Sequence, residues 1–235
     1  DMDDPMTSAE IDAALDGAEA ARNTAGPVVL RGTGFWRAVA TVKSDRSLVD
    51  LYADRIGVID QAAFRSWVPI LIPLWPGTLA AILGAVVALV LIGVAYGTAA
   101  PWNGIWFLLG TGGLLVATHG LAHLAVGLVV GIRFTAWFAG FKPPQPGVKT
   151  DFASYVRSPA RSRAWMHASG AIVTKSIPFL LLPSALIAGV PTWTVIVLVG
   201  LGVIQLITDA LWSTKVSDWA KYRREMAIAR EHEAS

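Results

Sequence analysis

The chain has 235 residues, 54% of them hydrophobic and only 15% charged, with a formal net charge of +2 and a mean hydropathy of +0.54. Soluble domains carry about 25% charged residues, so this composition predicts an integral membrane protein, and the small net charge leaves no electrostatic footprint for nucleic acid. The absence of cysteine excludes disulfides, thiolate metal ligands and a cysteine nucleophile.

Residues 1–27 are acidic and rich in alanine. Thr7 or Ser8 as an N-cap, followed by Glu10, Ile11, Ala14, Leu15 and Ala18, predicts a short amphipathic helix. The segment reads as an acidic tail or as a docking helix for a protein partner. It has no basic leader, and the first apolar run begins only near Trp67, so no cleavable signal is expected. Residues 28–67 place Phe35, Val39, Val42, Leu48, Leu51, Ile56, Ile59 and Phe64 at three- and four-residue intervals, which predicts short amphipathic helices. Trp36 and Trp67 suit a membrane interface, so this is a cytoplasmic or interfacial segment.

Four membrane helices are expected within residues 68–212, each near or above the ~20 residues that cross a bilayer. They run from about Val68 to Tyr96, Gly104 to Ile132, His167 to Ala188 and Thr192 to Trp212. Pro73 and Pro76 kink the first helix or displace its start, and Pro178 and Pro183 bend the third. The connector around Lys142 to Lys149, rich in Pro and Gly, reads as a surface loop. A helix is expected to start near Asp151. Residues 213–235 read as a basic tail, with Trp219 and Tyr222 at the interface. The fold class is therefore an all-α integral membrane protein with about four transmembrane helices. Basic residues gather in the connector from Arg133 to Arg163 and in the tail, while the other two connectors are uncharged. The positive-inside rule then puts both termini in the cytoplasm, with the protein in the cytoplasmic (inner) membrane.

Against this background a few polar groups stand out. No Asp, Glu, Lys or Arg occurs between Ser66 and Ile132, yet His119 and His123 do. At i and i+4 they share a helix face and can bind one metal ion. Lys175 and Asp209 lie in the third and fourth spans at comparable depth. Charged groups in hydrocarbon must pair or coordinate a metal, and two arrangements satisfy them. In one, His119, His123 and Asp209 form a three-ligand site suited to zinc with one open position. In the other, Asp209 pairs with Lys175 while the histidines hydrogen-bond to helix carbonyls.

The order of these features resembles the core of the site-2-protease family of intramembrane zinc metalloproteases, over about residues 104–212. Thr118-His119-Gly120-Leu121-Ala122-His123 stands where that family has histidine, glutamate, two variable residues and histidine. Gly131 to Pro144 is similar to its turn and partly extended segment. Ala168-Ser169-Gly170 resembles the start of its next helix, and Thr208-Asp209-Ala210 the place of its aspartate ligand. The resemblance implies zinc held by His119, His123 and Asp209. Gly120 replaces the glutamate that serves as general base, a proton-transfer role typically worth 10²–10⁴-fold. Asn after the Ser-Gly step and Gly after the aspartate are also absent. The expectation is a protease-like membrane protein without ordinary peptidase activity, in a scaffold or regulatory role. The alternative is an accessory subunit of a respiratory or photosynthetic membrane complex, with His119 or His123 ligating a haem or chlorin. The remaining partners are the lipid bilayer and a protein met through the N-terminal segment or the membrane helices.

Overall fold

A computed structural model describes residues 5–22, 28–141, 144–211 and 217–234. Of the features read from the sequence, residues 1–4 and 23–27, Lys142, Trp212 and Lys215 lie outside the described residues. Along the chain come α1 (Ser8–Arg22), α2 (Phe35–Ser44), α3 (Arg46–Trp67), β1 (Ile70–Pro73), α4 (Leu74–Tyr96) and α5 (Trp102–Val129). There follow β2 (Phe134–Phe141), β3 (Pro144–Thr150), α6 (Phe152–Arg157), α7 (Ala160–Leu180), α8 (Leu182–Ile187), α9 (Thr192–Leu211) and α10 (Asp218–Ala234). These elements form two compact units interleaved along the chain, one from Asp1–Pro73, Leu128–Arg163 and Glu225–Ser235, the other from Leu74–Gly127 and Ala164–Arg224.

In the first unit, α1 opens with a reciprocal cap. The Glu10 amide donates to Thr7 Oγ1 at 3.3 Å, and the Thr7 amide donates to Glu10 Oε2 at 2.8 Å, which satisfies two orphan donors. Ile11, Leu15 and Ala18 are fully buried, together with Phe35 and Val42 of α2 and Ile56 and Ile59 of α3. Arg55 of α3 clasps Asp12, Asp16 and Glu19 on α1. The apolar face of α1 is thus covered by α2 and α3 of the same chain.

The same unit holds a three-stranded antiparallel sheet in the order β1-β2-β3, with Ile70 opposite Ala139 and Phe138 opposite Gly147. The fold is therefore mostly helical (78%) and not all-α, and the Pro- and Gly-rich stretch read as a loop is largely β3. The prolines sit on an outer strand, where a missing N–H costs no ladder bond. The sheet also shortens the first apolar span. Residues 70–73 pair with β2, and the helix starts at Leu74, so Pro73 marks a displaced start.

Four stretches are long and apolar enough to cross a membrane: Leu74–Tyr96, Trp102–Val129, Ala160–Ile187 and Thr192–Asp209, most of their residues belonging to the second unit. Only 17–22% of each is buried inside the protein, so most of their apolar surface faces outward, as spans that contact lipid require. A small core forms from Ala88, Ile92 and Ala95 of α4, Phe107 and Leu114 of α5, Ala185 of α8 and Leu198 of α9. Helices α4 and α5 approach closely at Gly110, where an added Cβ would lie 2.7 Å from Ile92 Cγ1. Small residues at helix contacts let backbones come this near in a bilayer. The third span is interrupted between α7 and α8. Pro178 remains inside α7, whereas Pro183 stands at the start of α8 and has no N–H to continue the preceding turn.

Candidate metal centre

His119 and His123 project from one face of α5, as their spacing predicts, with ring centroids 4.7 Å apart and planes at 89°. The carboxylate that meets them is Asp218, the first residue of α10. Asp218 Oδ2 lies 3.2 Å from His123 Nε2 and 3.4 Å from His119 Nε2, and the two Nε2 atoms are 3.3 Å apart. Tetrahedral coordination with bonds of about 2.0–2.1 Å separates its donors by about 3.3–3.4 Å. The three atoms thus form one nearly equilateral face of such a polyhedron.

The hydrogen bonding readies His123 to act as a lone-pair donor. His123 Nδ1 is 2.7 Å from the Met166 carbonyl, and a carbonyl only accepts, so Nδ1 carries the proton. Nε2 of the neutral ring then presents its lone pair. Outer hydrogen bonds of this kind fix the tautomer of metal-ligating histidines. With His119 in the same tautomer, three lone pairs converge on one point, and a cation at the centre would serve all three.

Gly170 of α7 makes room for the rings. A Cβ there would lie 2.7 Å from His123 Cε1 and 2.9 Å from His119 Cε1, and closer still to His123 Nε2. Gly170→Ala is expected to push His123 off the Met166 carbonyl and to cost about 1–3 kcal/mol of stability by overpacking. Thermal unfolding in detergent and metal content measure the two effects. An alanine variant with unchanged melting and metal content would show that the cradle does not depend on glycine.

Asp218 is placed by the start of α10, where the Ala220 amide donates to Ser217 Oγ at 3.2 Å and the helix end favours negative charge. Lys221 donates to the other carboxylate oxygen, Oδ1, at 3.3 Å, which leaves Oδ2 to the imidazoles. Burial works to raise the Asp218 carboxyl. With the imidazoles protonated, hydrogen bonds from His119 and His123 and the charges of His123 and Lys221 outweigh it and hold the group far below the usual carboxylate range; a metal ion would take the place of those protons.

Asp209, expected as the third ligand, is instead paired with Lys175. Lys175 also reaches the Ala171 carbonyl at 3.4 Å and lies 5.9 Å above the Trp219 ring. The structure therefore combines parts of both expected arrangements. The ion pair of the second is present, and the histidine–carboxylate cluster of the first is built with a different aspartate. Among the described residues, His119, His123 and Asp218 are the group of three able to share a metal ion. The sequence does not single out Asp218 or the Met166 carbonyl, and it marks Gly170 only as part of the Ser-Gly step. The one signal for Asp218 is an acidic residue after Ser217 in an otherwise basic stretch, which marks a helix start and not a ligand.

Comparison with known proteins leaves the site to speak for itself: no protein-family model, no curated protein and no solved structure matches the chain.

Proposed function

We propose that the protein is a metal-binding integral membrane protein with a site-2-protease-like core, in which His119, His123 and Asp218 hold zinc. It serves a scaffold or regulatory role and does not hydrolyse peptides. The observation that carries this reading is the triangle of three lone-pair donors at 3.2–3.4 Å, backed by the Nδ1 bond that fixes one donor's tautomer. Two imidazole nitrogens and one carboxylate oxygen suit zinc and leave a position open. A divalent ion there supplies Lewis acidity. Gly120 stands between the histidines where the family it resembles has its glutamate base.

The same geometry favours an ion over the haem or chlorin alternative. An axial imidazole needs an open approach to Nε2 for a flat macrocycle. Here His123 Nε2 faces His119, Asp218 and the Gly170 backbone, which leaves space for an atom and not for a ring. In the proposed topology the basic connector, the N-terminus and α10 lie on the cytoplasmic side of the inner membrane.

The test is elemental analysis of the purified full chain together with a cleavage assay on membrane-spanning peptides, for the wild type and for Gly120→Glu. One zinc per chain without cleavage is expected for the wild type, and metal-dependent cleavage is expected on restoring the glutamate. Metal-free protein after incubation with zinc, or a visible pigment band, would overturn the reading. Cleavage by the wild type would overturn the non-peptidase part alone.

A further inference from the structure

The sheet of the first unit has two unlike faces. Successive residues of a strand point to opposite faces, and directly paired residues point to the same one. On one face Phe138 packs edge-on against Phe64 and Trp67, with ring centroids 5.0 and 6.5 Å apart, and Lys149 pairs with Asp60, so this face lies on α3. Gly147, opposite Phe138, leaves the ring its room, since a Cβ there would lie 2.9 Å from it. The register assigns the other face to Ile70, Ala139 and Pro146 in one row and to Ile72, Trp137 and Val148 in another.

All six of these residues are apolar. An antiparallel sheet with one face on its core turns polar residues outward where water covers the other, and this sheet does not. Ile70, Ile72 and Pro146 are exposed, and Trp137, Ala139 and Val148 are partly so. Leu71, on the α3 side, is also 40% exposed, so β1 reaches past the helix that covers its neighbours. Exposed apolar residues gathered in this way mark a surface that something other than water covers.

The chain itself indicates the cover. No residue intervenes between β1, which ends at Pro73, and α4, which begins at Leu74 and is long and apolar enough to cross a membrane. Trp75, in the first turn of α4, is 82% exposed, and indole favours the boundary between headgroups and acyl chains. From the apolar outer face, its direct continuity with a span and the tryptophans at 75 and 137, we infer that the sheet docks on lipid, with Ile70, Ile72, Trp137 and Val148 against acyl chains at the membrane–water interface. Backbone chemistry sets the depth. Among the described residues β1 pairs with β2 alone, so its free edge carries N–H and C=O groups that require water, and a lipid-exposed sheet edge is not stable in the hydrocarbon. The sheet therefore lies at headgroup depth with its outer side chains immersed. This rests on the membrane-spanning reading of α4 and not on the metal centre.

The chain has no cysteine, so a nitroxide label on Ile72→Cys or Val148→Cys reports a single position of the full chain, here in nanodiscs of phosphatidylglycerol and phosphatidylcholine. Collisions with dissolved oxygen, which concentrates in lipid, and with a water-soluble nickel chelate measure immersion by electron spin resonance. Asp50→Cys, on the exposed surface of α3, gives the water reference. Val87→Cys, at a position 57% exposed on α4, gives the hydrocarbon reference. Circular dichroism checks each variant, and two strands are labelled so that misfolding of one variant leaves the other to decide. At Ile72 and Val148 nickel collisions are expected to fall several-fold below those at Asp50 and oxygen collisions to rise, at a depth shallower than Val87. Nickel accessibility equal to that at Asp50 would put the face in water and overturn the inference. Low accessibility to both reagents would put a protein or a second copy there and overturn it equally. A Val87 label in water would overturn the membrane reading, and the inference with it.

Discussion

Asp218→Asn is expected to abolish the proposed stoichiometric metal binding and Asp209→Asn to leave it intact. This contrast is the sharpest consequence of the site geometry, because both aspartates stand on the C-terminal side of the apolar region and only one faces the imidazoles. Asn keeps the shape of the side chain but removes the charge that a dication needs. Loss of an outer hydrogen-bond partner alone costs metal affinity about 10–100-fold, so loss of a direct ligand is expected to cost at least about 100-fold. His119→Ala and His123→Ala should behave like Asp218→Asn. Asp209→Asn instead leaves Lys175 without its counter-ion, so its effect belongs to stability and not to metal content. Zinc titration monitored by competition with a chromophoric chelator measures all four variants. Equal zinc affinity in Asp218→Asn and wild type would eliminate the proposed ligand set.

Glu225→Gln destabilises the protein by about 3–5 kcal/mol, the range for breaking a buried ion pair on one side only. Glu225 is 3% exposed and accepts from Lys43, from Arg163 Nε and, at 2.8 Å, from the Tyr155 hydroxyl. Without its charge, the buried Arg163 and the half-buried Lys43 are left facing each other unneutralised. A melting temperature within a degree or two of wild type would mean that water reaches this cluster.

The same group predicts a pH dependence. Burial works to raise the Glu225 carboxyl, and the charges of Lys43 and Arg163 more than reverse this, so its pKa in the folded chain lies below the ordinary value. A lowered carboxyl adds stability that is complete above its unfolded pKa and is lost as pH falls through the folded one. Unfolding midpoints are therefore expected to drop on the acid side of the normal glutamate range, and this drop should vanish in Glu225→Gln.

The parts legible in the sequence are those that follow from local rules. The absence of charge from Ser66 to Ile132 locates two spans, and the i, i+4 spacing puts His119 and His123 on one face. The Thr7 cap and the apolar positions of α1 were equally plain. What failed depends on distant partners. In β3 the local signals of Pro144, Pro146 and Gly147 say loop, and only pairing with β2 makes the segment a strand. Sequence alone points to Asp209 as the third donor, because it lies in a span at comparable depth. Asp218 enters from a separate helix beyond that span, and no periodicity encodes such an approach. Gly170 shows the same limit: its role is to lack a side chain where two rings of another helix must pass.

The order β1-β2-β3 leaves two strand borders, and each carries its own stop. Four residues long, β1 ends at Pro73, and the chain turns into a helix at Leu74. β3 carries Pro144, Pro146 and Lys149. A further strand laid along either border would find missing donors or a charge within a few residues. The sheet is thus self-terminating. Although it is built from segments as sticky as Ile-Leu-Ile and Phe-Thr-Ala-Trp-Phe, it resists recruiting a neighbouring copy when chains crowd together during synthesis.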